Sequence, residues 1–179
     1  MPESNPTEAL KEARIDRVEV NSSGVEKSFE RRRGISNIVL KDGYAQVHIS
    51  GFPAPVHPAR LEILSLVRDA KYSIQLLKLT PSGLSFLVRE ESAVNLKRIL
   101  EESGKHFTIK EGRSIVEIHA VNMRDEEGLI ARVIASAIAS GATMEHVGDM
   151  HDRLIITASN EDAKQIAEHI LGQNIEATK

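Results

Sequence analysis

The chain has 179 residues, enough for one ordinary domain or two small ones, and too few for a catalytic part and a separate regulatory part together. Its 23 basic and 26 acidic residues give a formal charge of -3, so the surface is not built to neutralise phosphates and nucleic acid is not an expected partner. With no cysteine, no tryptophan, two Tyr and four Phe, a disulfide framework, a thiolate metal site and a base-stacking platform all lack their residues. Hydrophobic residues make up 41 %, mostly Ile, Leu, Val and Ala, and can bury an aliphatic core.

Residues 1–14 are polar and rich in Pro, Ser, Asn and Glu and read as a flexible tail. They contain no apolar leader segment, and no stretch approaches the roughly 20 apolar residues of a membrane span, so no membrane partner and a cytoplasmic location are expected. Residues 15–33 form an extension with alternating apolar positions around Asn21-Ser22-Ser23-Gly24, the pattern of a small hairpin. The run Arg31-Arg32-Arg33 is short, has acidic neighbours, and reads as a solvated strand end.

From Gly34 the pattern is clearer. Ile35 to Leu40 is a β-branched strand, Asp42-Gly43 a tight hairpin turn and Tyr44 to Ser50 its partner. Pro58 to Ala70 carries Leu61, Ile63, Leu64, Leu66 and Val67 on an amphipathic helical stripe, with Pro58 tolerated in the first turn. Tyr72 to Thr80 and Leu84 to Arg89 are strands joined by Pro81-Ser82-Gly83, and Glu91 to Glu102 is a second helix. The order then recurs: strand Ser114 to Val121, helix Glu126 to Ser140, strands Thr143 to Asp149 and Leu154 to Ala158, and a helix from Asn160, read as its cap, to Leu171.

The recurrence is positional. Ile63 matches Val133, Val67 Ala137, Ile74 Met144, Leu84 Leu154, Ala93 Ala163 and Leu100 Ile170, each 70 residues apart, while Val47 and Ile49 match Val116 and Ile118 at 69. A fixed offset through two helices and two strands points to internal duplication. The first unit has a candidate fourth strand in Lys105 to Lys110, but the second ends soon after its last helix. Ile35 to Leu40 is the natural segment to complete it. The division is therefore a strand at 34–43 completing the second unit, a first unit at 44–112, a second at 113–173 and a tail at 174–179.

Chemistry-bearing residues are sparse. His146-Val147-Gly148-Asp149-Met150-His151-Asp152 places two imidazoles and two carboxylates close in sequence, and His119 can join from a neighbouring strand, a set that could suit a divalent transition metal. Strand spacing argues against it, since His146 and Asp149 face opposite sides and His151 falls in a turn. No Gly-x-Ser-x-Gly and no glycine-rich phosphate loop precedes a helix, so nucleophilic, kinase and dehydrogenase chemistry have no support. Asp125-Glu126-Glu127 precedes a helix whose N-terminal dipole it stabilises. The same loop, Asp125 to Gly128, has the carboxylate and helix-start amides to hold both ends of a zwitterionic amino acid.

Two strand-helix-strand-strand-helix units of about 70 residues resemble ACT domains, and the tandem resembles the regulatory region of aspartokinases. There a Gly-Ile-x-x-Ile strand, here Gly34 to Ile38, leads through a turn, here Lys41 to Val47, into the first unit. The resemblance covers roughly residues 34 to 172 and implies an α+β fold: two ferredoxin-like βαββαβ ACT modules with antiparallel sheets and helices on one face. It also implies effector binding where the loop after the first strand meets the helix start and the second strand begins. In the second module this loop is Asn122 to Leu129, with Glu127 where the family has Pro and with Gly128 retained, and Thr143-Met144 replaces the family's Ile-Asn. In the first module Gly51 to Pro58 lacks the acidic residue and the glycine, and Ser73-Ile74-Gln75 replaces the Asn segment.

The ligand contacts the resemblance implies are Asn122, Asp125, Gly128 and Thr143 in the second module and His57, Ser73 and Gln75 in the first, with Asp125 taking the ammonium group and the helix-start amides the carboxylate. No start of the Lys-Phe-Gly-Gly type found in the family's kinase domain is present, so no enzyme activity and no cofactor are expected. The expected function is a non-catalytic regulator that binds an amino acid or similar metabolite. Exposed sheet edges lead to an expected homodimer. The alternatives are an interaction subunit docking on an aspartokinase or other metabolic enzyme without a ligand, and a metal-binding protein using His119, His146, Asp149 and His151.

Overall fold

The computed structural model describes residues 34–120, 123 and 126–173. The tails expected at 1–14 and 174–179, the hairpin expected within 15–33 and the Arg31-Arg32-Arg33 run lie outside the described residues.

β-Branched and aliphatic residues at alternate positions draw Ile35–Ser50 into one long strand, β1. Asp42-Gly43 is thus not the turn of a hairpin but a bulge within a strand. Gly43 sits at φ 80° and the register slips between Lys41 and Tyr44. Ser114 Oγ donates to Asp42 Oδ1 at 2.6 Å, and pairing on both sides keeps extended a dipeptide that would turn if left free. The α1 helix (Val56–Asp69) starts two residues before Pro58, which the first turn accepts because its missing N–H would have no intrahelical partner. The strands β2 (Gln75–Thr80) and β3 (Gly83–Arg89) follow, then a 3-10 turn at Glu90–Ser92 and α2 (Ala93–Glu102), where one helix from Glu91 was expected.

The strand β4 (His106–Ala120) unites two segments that the sequence suggested were separate. The α3 helix (Leu129–Ala139) begins three residues later than expected, because its N-cap Gly128 holds a left-handed φ of 73°. Next come β5 (His146–Asp149), shorter than expected, β6 (Arg153–Ser159) and α4 (Asn160–Gly172). The cap of α4 is Ser159, not Asn160: Ser159 Oγ accepts from the Asp162 amide at 3.1 Å, while the Asn160 side-chain amide lies 2.7 Å from Ser114 Oγ.

All strands pair antiparallel in the order β2-β3-β1-β4-β6-β5. The two long strands exchange halves. Ile35 to Lys41 pairs with Ile115 to Ala120, and Gln46 to Ser50 pairs with His106 to Lys110. Ile38 therefore packs with Val116, Ile118, Val133 and Ile166 in one aliphatic cluster, and Phe107 and Ile109 lie against a second cluster holding Val47, Ile49, Ile63 and Leu96. The buried helix positions keep the 70-residue offset: Ala59, Ile63 and Val67 on α1 against Leu129, Val133 and Ala137 on α3, and Ala93, Leu96 and Leu100 on α2 against Ala163, Ile166 and Ile170 on α4. Each large aliphatic chain so buried contributes about 1.5–3 kcal/mol.

The sheet is not flat. His146 on β5 lies 2.6 Å from Gln46 on β1, although β4 and β6 stand between them in the strand order. At about 4.8 Å per strand a flat sheet would hold them roughly 14 Å apart. The helix-free face is instead folded toward itself about β1 and β4, where the bulges lie, and it buries Tyr44, Leu87, Ile115 and Ile155 in a third cluster. Among the described residues no helix is long and apolar enough to cross a membrane.

Candidate functional site

The start of α3 is the better built of the two loop sites. Gly128 caps the helix in the left-handed region, and the Leu129 amide donates to the Glu126 carbonyl at 3.2 Å. From one helical turn on, Arg132 reaches back over this start: its NH2 donates to Glu126 Oε1 at 3.1 Å and its NH1 to the Glu127 carbonyl at 3.4 Å. The Glu126 side chain is 11 % exposed and that of Arg132 36 %, so a mostly buried carboxylate meets a half-exposed guanidinium beside the helix N-terminus. Asn122 and Asp125 lie outside the described residues. Arg132 was not singled out from the sequence; its signal was only its place one turn after Gly128.

The start of α1 is different. His57 is exposed in the first turn, and Arg60 is engaged by the β2–β3 turn, donating to the Gly83 carbonyl at 3.3 Å and to the Thr80 carbonyl. Ser73 and Gln75 are exposed, Gln75 opening β2 opposite Leu87. Thr143 is exposed before β5, and its amide donates to Asp162 Oδ1 at 3.2 Å. Gly128 and Thr143 flank opposite ends of α3, whose 11 residues span about 16 Å. His57, in the first turn of α1, and Ser73, beyond its last residue, are likewise at opposite ends of that helix. Helix start and strand start are thus not brought together within one repeat.

The histidine-rich segment divides as strand spacing dictates. His146 pairs with Thr157 and His119 with Arg153, four residues apart along β6, which is about 13 Å. Asp149 lies opposite Leu154, a residue of the helix-side cluster, and His151 is exposed in the turn closed by the Met150 amide and the Arg153 carbonyl at 2.8 Å. Among the described residues no three His, Cys, Asp or Glu side chains come together as metal ligands would. His119 Nε2 instead approaches Glu117 Oε2 at 3.4 Å. That carboxylate also receives Lys41 Nζ at 2.7 Å and faces Arg153 NH1 at 3.8 Å. Asp152 is held below the usual carboxylate range, first by its hydrogen bond from Arg153.

The inner face carries a second polar group of residues. His146 Nε2 lies 2.6 Å from Gln46 Nε2 and 3.4 Å from Ser85 Oγ. Burial is the main reason its pKa is lowered, with Lys78 next, while Glu145 opposes the shift. Glu145 is itself held by Lys110 at 3.1 Å and Arg113 at 3.0 Å. An open hollow of about 390 Å³ lies between α2 and β4, lined by Ala93, Lys97, Phe107, Thr108, Ile109 and Glu111, and none of the described site residues lines it.

No protein-family model and no curated protein sequence matches the chain. Solved structures do match it in fold. The ligand-free regulatory subunit of aspartate kinase from Thermus thermophilus superposes with a TM-score of 0.71 at 15 % identity, over 82 % of this chain and 99 % of that one. A structure of aspartokinase alpha and beta subunits gives 0.67 at 17 % identity, over 79 % and 99 %. Escherichia coli aspartokinase III in complex with lysine and aspartate gives 0.64 at 14 % identity, over 83 % of this chain and 35 % of that one. The antiparallel sheet with its helices is the fold that the chain shares with these structures.

Proposed function

We propose that this chain is a non-catalytic regulator of the aspartokinase type: two ferredoxin-like βαββαβ ACT modules that bind an amino acid or similar small metabolite and act on a metabolic enzyme. The observation that carries the reading is coverage. The shared fold spans 82 % of this chain and 99 % of a regulatory subunit of aspartate kinase. The strand exchange supports the module reading, since it gives the order β2-β3-β1-β4 at one end of the sheet and β5-β6-β4-β1 at the other. The boundaries follow: residues 34–43 complete the second module, 44–112 make up the first and 113–173 the second.

The effector site uses the α3 start, Gly128 with the Glu126–Arg132 pair, together with Asn122 and Asp125. Asp125 takes the ammonium group, and the helix-start amides take the carboxylate. Thr143, at the far end of α3, serves the site of a neighbouring copy. A free amino acid is too short to bridge about 16 Å, so a site using both ends of α3 requires a homodimer. His57, Ser73 and Gln75 form the corresponding weaker set in the first module. Binding across copies favours one arrangement of the pair, and only that differential affinity transmits a signal.

Thermal-shift measurement of the full chain with each of the twenty amino acids at millimolar concentration tests the reading. A rise in melting temperature with at least one amino acid, lost in Asp125→Asn, is expected. No rise with any amino acid, together with copurification of a kinase, would replace this reading with that of a docking subunit. That second reading is favoured by the match to a structure holding alpha and beta subunits together.

A further inference from the structure

The inner face of the folded sheet holds two junctions related by the repeat, and they differ in character. One is apolar: Tyr44, Leu87, Ile115 and Ile155, with Leu76 packed against them. The 69-residue shift between β1 and β4 relates Tyr44 to Arg113 and Gln46 to Ile115. The 70-residue shift elsewhere relates Leu87 to Thr157, Ser85 to Ile155 and Leu76 to His146. Every member of the apolar junction therefore has a polar counterpart.

Strand registers obey the same relation. Ile38 faces Ile118 as Phe107 faces Ile49, Val47 faces Phe86 as Val116 faces Ile156, and Lys78 faces Ser85 as Gly148 faces Ile155. The contacts follow it as well. Leu76 packs on the cluster that holds Ile115 and Ile155, and His146 reaches their counterparts Gln46 and Ser85. The polar junction is also buried at its centre, with Gln46 at 8 %, Ser85 at 1 % and Thr157 at 0 % exposure, while His146 and Arg113 are half-buried. Its polar atoms are incompletely satisfied, since His146 Nδ1 and Thr157 Oγ1 are buried without hydrogen-bond partners among the described residues. Such a junction is weaker than its apolar twin.

We infer that the polar junction is a proton-operated clasp between the two ends of the sheet, closed while His146 is neutral and opened when the ring takes up a proton, with the apolar junction as its pivot. With the Gln46 amide nitrogen facing it, the ring accepts at Nε2 and carries its hydrogen on the buried Nδ1. A second proton turns Nε2 into a donor aimed at a donor. Rotating the Gln46 amide relieves that clash but leaves a charged ring with Nδ1–H still buried and unpaired.

The surrounding charges add to this. The groups around the ring are Gln46 and His48 on β1, Lys78 on β2, Ser85 on β3, Lys110 and Arg113 on β4, Glu145 beside it and Thr157 on β6. Glu145 alone among them is anionic, and two cations already hold it. Burial and then Lys78 depress the ring's pKa, with His48 and Lys110 acting the same way. An open, hydrated ring binds its proton more readily. The closed state is therefore favoured above the ordinary histidine value of about 6.5 and is weakened as the pH falls through and below it.

Hydrogen–deuterium exchange of the full chain at pH 7.5 and pH 5.5, corrected for intrinsic rates, tests the clasp in the wild type and in His146→Leu, which installs the residue of the apolar twin. Faster wild-type exchange at pH 5.5 is expected in β5 and around Ser85, by up to about tenfold, the most that the one pH unit between the ordinary histidine value and 5.5 allows. The segment around Ile115 and Ile155 should be unchanged, and His146→Leu should show no pH effect. Equal wild-type protection at both pH values, or the same loss in His146→Leu, would overturn the inference. Imidazole NMR titration of the wild type reads the same point without a variant. His146 titrating below the ordinary histidine value of about 6.5, with the Gln46 and Ser85 amides following it, is expected; titration at or above that value overturns the clasp.

Discussion

Gly83 and Gly128 are glycines for different reasons. A Cβ on Gly83 would stand 2.0 Å from the Ile49 carbonyl oxygen, a backbone atom that cannot turn aside, so Gly83→Ala is expected to destabilise by roughly 1–3 kcal/mol in chemical denaturation. Gly128 has room for a Cβ, its nearest neighbour being an Arg132 nitrogen at 3.7 Å, but its φ of 73° disfavours any L side chain. Gly128→Ala is expected to lower stability by about 1–2 kcal/mol and to weaken the effector response, because the helix-start amides shift. Ser159→Ala should remove about 1 kcal/mol, while Asn160→Ala leaves the cap in place. The cap was misplaced in the sequence because Ser-Asn offers two good cap residues in succession, and only the Ser114 contact shows which of them is occupied elsewhere. Contacts such as Gln46 to His146, 100 residues apart, left no local signal. Comparing the repeats would have shown His146 standing where the other copy has leucine.

The helices were legible because their buried faces recur at a fixed offset, and the same faces set the energetic expectations. Leu96→Ala on α2 and Ile166→Ala on α4 occupy fully buried positions and should each cost about 2–5 kcal/mol, read as a lower urea midpoint at constant slope. Val94 on the same α2 is 73 % exposed, and Val94→Ala should fall within about 0.5 kcal/mol of the parent. The long strands were less legible. Asp42-Gly43 serves a hairpin turn or a bulge equally well, and its neighbours in sequence do not decide between them. The deciding partners, Ser114 and the far half of β4, lie about 70 residues away. The expected helix range began at Glu126, yet Gly128 delays the first turn and leaves Glu126 ahead of it to meet Arg132.

Interlocking is the property of the whole molecule. Because β1 and β4 each serve both clusters, a change at one end of the sheet should be felt at the other end of the sequence. Ile38→Ala, early in the chain, is expected to reduce exchange protection in β6 and α4 more than in the nearer α1 and α2, since Ile38 packs with Ile156 and Ile166. That coupling suits a regulator, in which binding at one loop must shift the arrangement of the rest. The proposed regulatory function is tested most directly by amide chemical-shift mapping of the full chain against each amino acid at millimolar concentration. Saturable shifts with at least one of them, centred on Glu126 to Leu129 and on Thr143, are expected. Spectra unchanged by every amino acid, or shifts confined to residues remote from both segments, would contradict it.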